Sequence, residues 1–156
     1  MFSNKHYAQA MVAFKQAGST QEANICYAFL LRESAREVPD NQVKERIDAF
    51  IKAGEAFSTC IEESKPHQSR QRLAYNANAA ECFVQGHRFK EAGSCFVHAE
   101  QYSKAAHAFR QGGHFDEMAW VLEEYRDQIE ANLYAQLTKI AQMNYFKVGK
   151  LPTMGG

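Results

Sequence analysis

Between residues 76 and 122 the apolar positions recur with a step of thirteen. Phe83 returns as Phe96 and Phe109 and then, conservatively, as Leu122. A second aromatic line runs through Phe89, Tyr102 and Phe115, and a line of small residues through Gly86, Ala99 and Gly112. Within one unit, Phe89, Ala92, Cys95, Phe96 and Ala99 follow the spacing of three and four that lines one helix face. Ten residues at about 1.5 Å each make a rod of about 15 Å, and the remaining three turn the chain back. Two units therefore predict a helical hairpin of 26 residues. Gly86, Gly112 and Gly113 fall where the turns must lie and are expected to supply the left-handed conformation that ends a helix. Self-similarity at a fixed short period is the signature of a repeat architecture, in which each unit buries its apolar face by stacking on its neighbours.

The same cadence occurs near the N-terminus, where Ala10, Ala13, Phe14 and Ala17 are followed thirteen residues later by Ala23, Cys26, Tyr27 and Leu30. Ala17-Gly18 closes the first helix. Ser19, with Glu22 three residues on, predicts a capping box for the second, which runs to about Glu37 before Pro39. The middle of the chain breaks the rhythm. Val43, Ile47, Phe50, Gly54, Phe57 and Ile61 form a seam of alternating four and three, which predicts one uninterrupted helix over residues 42–64, about 33 Å long. Gly54 disfavours a helix interior by roughly 1 kcal/mol against Ala, so its place on the seam predicts close approach by a neighbouring helix. The polar stretch around Pro66 closes that helix, and the next is expected from about Gln71 to Gln85. After Leu122 no breaker separates one long helix from two. Ile129, Leu133, Leu137 and Ile140 make the last clear stripe.

No sustained alternation of β-branched and polar residues occurs, so strands are not predicted. The 156 residues suffice for one domain with a buried core. The longest apolar run, Ile25 to Leu31, is closed by Arg32 after seven residues, whereas a membrane span needs about twenty. The formal net charge of zero implies no global pull toward nucleic acid or anionic lipid. With no secretory leader read at Met1-Phe2-Ser3-Asn4-Lys5-His6, the four cysteines are expected as reduced thiols in an intracellular compartment, cytoplasm or nucleus.

Candidate chemistry changes this picture little. Cys26, Cys82 and Cys95 occupy the slot that Ala13, Ala108 and Val121 fill in sister units, and Cys60 continues the face after Phe57, so all four read as small core residues rather than metal ligands. His87 and His114 sit beside turns, and His98 and His107 on polar faces. No metal or cofactor is expected. Local charge is less even than the total: residues 65–90 carry Lys65, Arg70, Arg72, Arg88 and Lys90 against Glu81 alone, while residues 115–130 carry six acids against Arg126. The basic stretch is a candidate surface for an acidic peptide or a nucleic-acid backbone. Trp120 lies off the aromatic line, and either anchors a partner or packs on the final helix.

The units Ala79-Ala80-Glu81-Cys82-Phe83, Glu91-Ala92-Gly93-Ser94-Cys95-Phe96 and Lys104-Ala105-Ala106-His107-Ala108-Phe109 resemble the tetratricopeptide-like (TPR-like) hairpins of α-solenoids, in a form shorter than the usual repeat and without its early Trp and closing Pro. Over nearly the whole chain, the order Tyr7-Ala8-Gln9-Ala10-Met11, Arg46-Ile47-Asp48-Ala49-Phe50, Ala79-Ala80-Glu81-Cys82-Phe83, Gly113-His114-Phe115-Asp116-Glu117 and Tyr145-Phe146-Lys147-Val148-Gly149-Lys150-Leu151 resembles the helical segment after the helicase core in large fungal UvrD-like proteins, which are similar to animal proteins combining TPR and ankyrin repeats with a helicase-like region.

The resemblance implies a non-catalytic piece or shortened form of a larger design. No G-x-x-x-x-G-K-[ST] phosphate loop is present to carry helicase chemistry over. The expected fold is all-α, a right-handed α-solenoid of short TPR-like helical hairpins with about seven or eight helices. Residues 1–148 form the repeat domain, with longer helices over 42–85, and 149–156 a loose tail. The expected function is docking of a protein, a peptide or another domain of the same polypeptide, with accessory nucleic-acid binding through residues 65–90 as the alternative.

Overall fold

The computed structural model describes residues 4–147. Eight α-helices follow one another: α1 (Asn4–Gln16), α2 (Thr20–Glu37), α3 (Val43–Glu63), α4 (Ser69–Gln85), α5 (Phe89–His98), α6 (Tyr102–Gln111), α7 (Phe115–Glu124) and α8 (Ala131–Lys147), with one 3₁₀ turn at Arg126–Gln128. No strand occurs among the described residues, and none of their helices is long and apolar enough to cross a membrane. The main packing contacts join each helix to the next in sequence. Residues 148–156, which include the expected tail, lie outside the described residues.

The thirteen-residue step is literal in α5, α6 and α7. Each has ten residues and opens on the second aromatic line, at Phe89, Tyr102 and Phe115. The turn before each helix repeats the same hydrogen bonds. Arg88, Gln101 and His114 donate backbone N–H groups to the carbonyls of Phe83, Phe96 and Phe109 at 2.8, 2.9 and 2.8 Å. His87, Glu100 and Gly113 donate inside these bonds to Val84, Val97 and Arg110 at 3.1, 3.0 and 3.0 Å. This is the Schellman closure, which satisfies the last carbonyls of the outgoing helix. It recurs at the first turn, where Ser19 donates to Phe14 at 2.8 Å.

Two sequence expectations need correction at these turns. The left-handed residues are Gly18, His87, Glu100 and Gly113, with φ of 78°, 58°, 60° and 74°, whereas Gly86 and Gly112 lie one position earlier at −87° and −86°. Crowding accounts for the small residues at 86 and 112: a Cβ on Gly86 would lie 2.7 Å from Ile51 Cγ1, and one on Gly112 2.6 Å from Phe89 Cβ. The Ser19 and Glu22 capping box does not form, because Ser19 makes no side-chain cap bond. Its backbone already serves both helices, donating to Phe14 and accepting from Ala23.

Each repeat unit sinks adjacent positions into the core. Ala79, Ala92, Ala105 and Met118 are fully enclosed, as are Ala80 and Ala106, and Phe83, Phe96, Phe109 and Leu122 are buried beside them. Where helices press closest the small residue is glycine. A Cβ on Gly54 would lie 2.8 Å from the Phe83 ring, which is the close approach its seam position predicts, and one on Gly93 would lie 2.5 Å from the Phe109 ring. Cys60 and Cys82 are buried, while Cys95 and Cys26 are half-buried. Burial pushes the thiols of Cys60, Cys82 and Cys95 up to about 11.

The N-terminal unit departs from this register. α1 contributes no buried residue, Ala13 is exposed, and Tyr27 keeps 44% of its surface in solvent. α2 is longer than a repeat helix and buries Ala28 and Ala35 beside the repeat position Ala23, while Cys26 and Leu30 are half-buried. α3 is unbroken as expected, and α4 begins two residues before Gln71. The undecided stretch after Leu122 resolves into two helices. No Gly or Pro makes the break; Tyr125 and Ile129 turn inward instead, the latter 6% exposed. Glu130 then starts α8, its carboxylate accepting the N–H groups of Asn132 and Leu133 at 3.3 Å each.

Candidate functional site

In α7 the core slots are taken by Met118, Ala119, Val121 and Leu122. Residue 120 falls in the gap, the slot filled by Glu81, Ser94 and His107 in the preceding units, all of them exposed. The register thus turns Trp120 outward with 50% of its surface in solvent, and it does not pack away into the core. Its ring meets Tyr125 edge to face at 5.7 Å and 88°. Tyr125 in turn stacks on Tyr102 at 3.9 Å and 11°. The break after Glu124 is what frees Tyr125 to do so.

These rings line a groove of about 500 Å³ between α5 and α7. Val97 belongs to its α5 wall, and the buried Phe109 of α6 gives it an apolar floor. Charged groups edge it. Lys90 Nζ on α5 approaches Glu117 Oε1 on α7 at 4.0 Å. Glu100 contributes a further carboxylate from the turn, and it makes no ion pair among the described residues. His98 donates from Nδ1 to the Ser94 carbonyl at 2.8 Å, which fixes its ring on the helix. Burial, then the neighbouring Tyr125 and Glu100, pushes the Tyr102 phenol up, so it stays a neutral donor at physiological pH. The groove can hold an extended side chain against aromatic faces, with polar groups at its rim.

Of the candidate residues from sequence, Lys90 and Trp120 meet in this groove, whereas Lys65, Arg70, Arg72 and Arg88 do not line it. Arg72 is turned inward, donating from Nε to Ser64 Oγ at 2.8 Å and from Nη2 to the Ser64 carbonyl at 3.2 Å, and so ties the end of α3 to α4. Arg88 lies 3.9 Å from Glu91, and Lys65 and Arg70 are exposed around the α3–α4 turn. Sequence reasoning missed Tyr102, Tyr125, Glu100 and Glu117 as neighbours of Trp120. The available signal was the slot comparison, since Trp120 follows Glu, Ser and His at an outward position.

A second polar feature was also missed. Arg32, Arg36 and Arg46 surround a cleft of about 160 Å³ between α2, α3 and α4. Its bonds point back into the fold. Arg46 donates to the carbonyls of Val38 at 2.9 Å and Arg36 at 3.3 Å, closing the end of α2, while Arg32 is held by Glu33 and Asn78.

Fold and groove together define an all-helical protein with an aromatic surface groove near its C-terminal end. Compared with family models, curated proteins and solved structures, the chain matches none at a significant level.

Proposed function

We propose that the chain is a non-catalytic docking scaffold, a right-handed α-solenoid of short TPR-like hairpins whose groove between α5 and α7 receives a polypeptide segment. The observation that carries the reading is Trp120, half-exposed over an apolar floor and flanked by Tyr125 and Tyr102. A large aromatic ring seated in a concave site anchors partners well beyond its share of the area. Packing of each helix on the next supports the solenoid arrangement. The resemblance to the segment after the helicase core of UvrD-like proteins supports an intracellular setting, with the partner drawn from another domain of a larger polypeptide or from a separate protein.

The basic stretch offers less support for nucleic acid, because Arg72 is engaged within the fold and Lys90 faces Glu117. The test is capture of partners from the native cell with the wild-type chain and with Trp120→Ala. Partners lost with the variant, while its thermal unfolding stays unchanged, support the groove. An identical set captured by both chains overturns it.

A further inference from the structure

The chemistry of the groove narrows what it takes. We propose that its occupant is a basic peptide segment, whose Arg or Lys side chain lies against Trp120 with Glu100 and Glu117 as counter-charges; this rests on the docking reading above. Three features point to a cation.

The first is a ring that carries no cation. Arg32, Arg46, Lys104 and Arg126 lie over Phe29, Phe50, Phe96 and Tyr134 at 4.8, 5.1, 5.9 and 4.8 Å, but no cation of the described residues lies over Trp120. Indole is the side chain that attracts cations most strongly, and here it faces solvent.

The second is charge. Two carboxylates line the groove against one ammonium, and Lys90 approaches only Glu117, which leaves Glu100 uncompensated. The surrounding sequence is also acidic, with five acids besides Glu117 against Arg126 over residues 115–130.

The third is where Glu100 stands. Of the four equivalent left-handed turn positions, Gly fills 18 and 113, while His87 and Glu100 stand at φ 58° and 60°. A Cβ in that conformation is disfavoured by roughly 1–2 kcal/mol against Gly. Of these two, Glu100 is the one that lines the groove, so the fold keeps a carboxylate at its rim where glycine would be the more stable choice.

Trp120 is the one tryptophan in the chain, so intrinsic fluorescence reads the groove directly. Three acetylated, amidated peptides of alternating Gly with Arg, Gln or Glu are the probes. The Arg peptide should change Trp120 emission saturably and bind about three- to fivefold more tightly than the Gln peptide for each cation engaged, with the Glu peptide weakest. Glu117→Gln should weaken the Arg peptide by a similar factor. Glu100→Gly should weaken it too while raising Tm by about 2–4 °C, a pairing of better folding with worse binding that a merely structural Glu100 would not produce.

If the Gln peptide binds as tightly as the Arg peptide, or Glu100→Gly leaves binding untouched, the cation assignment is wrong and the docking groove stands. If none of the three peptides perturbs Trp120 while capture from cells still depends on it, the assignment again fails alone. If capture does not depend on Trp120, the docking reading falls as well.

Discussion

A methyl group is enough to test how tightly the repeat is packed. At Gly93 a Cβ would sit 2.5 Å from the Phe109 ring, so Gly93→Ala should lower stability in urea by about 1–2 kcal/mol, overpacking outweighing the gain in helix propensity. Adding Phe109→Leu should recover most of that loss, since one repeat further on Ala106 and Leu122 hold the same two register positions. At Gly113 a Cβ would meet nothing within 4 Å, so Gly113→Ala isolates the left-handed backbone and should reduce stability by roughly 1 kcal/mol in the same assay. Cys82 supplies a pH dependence. Its folded thiol titrates near 11 against an ordinary 9.0, so the unfolded chain releases the proton first as pH rises. The contribution is therefore complete below pH 9 and lost between about 9 and 11, and the urea midpoint should fall over that window less steeply in Cys82→Ala. The identity of these core residues was legible in sequence because the step of thirteen stacks like on like. The left-handed residues were legible only in part: Gly113 adopts that conformation as expected, whereas His87 and Glu100 are poor choices for it, and Gly86 and Gly112 were read in its place.

At the scale of elements, helix lengths follow from the repeat while their ends follow from tertiary bonds. Arg72 illustrates the difference. In sequence it is one of five cations in a basic stretch; in the fold it joins α3 to α4 through Ser64. Arg72→Ala should reduce stability by about 1–2 kcal/mol and speed amide exchange at the end of α3 and the start of α4. The α7 to α8 break was illegible for the same reason. Residues 123–128 contain no Gly or Pro, and the helix stops because Tyr125 finds Tyr102 and Ile129 finds the core, contacts with residues that periodicity does not connect. The groove inherits this limit. Trp120 stands out in the sequence as off the rhythm, but its neighbours come from α5, the following turn, α6 and the residue that closes α7.

For the molecule as a whole, packing that runs mainly from each helix to the next predicts graded rather than uniform protection. Native-state hydrogen exchange should find α1, which buries no residue, opening most readily, and α3 to α6 last. The same arrangement leaves function to whatever the repeat does not bury, and Trp120 is a large exposed side chain set over a groove with other aromatics beside it. The most direct test is quenching of the fluorescence of that single tryptophan by ions of opposite sign. An open, acid-edged groove predicts ready quenching in which caesium, drawn by Glu100 and Glu117, gains on iodide at matched ionic strength when each is scaled to its quenching of free N-acetyltryptophanamide. Emission shielded from both ions, or a scaled quenching that favours iodide, would contradict it.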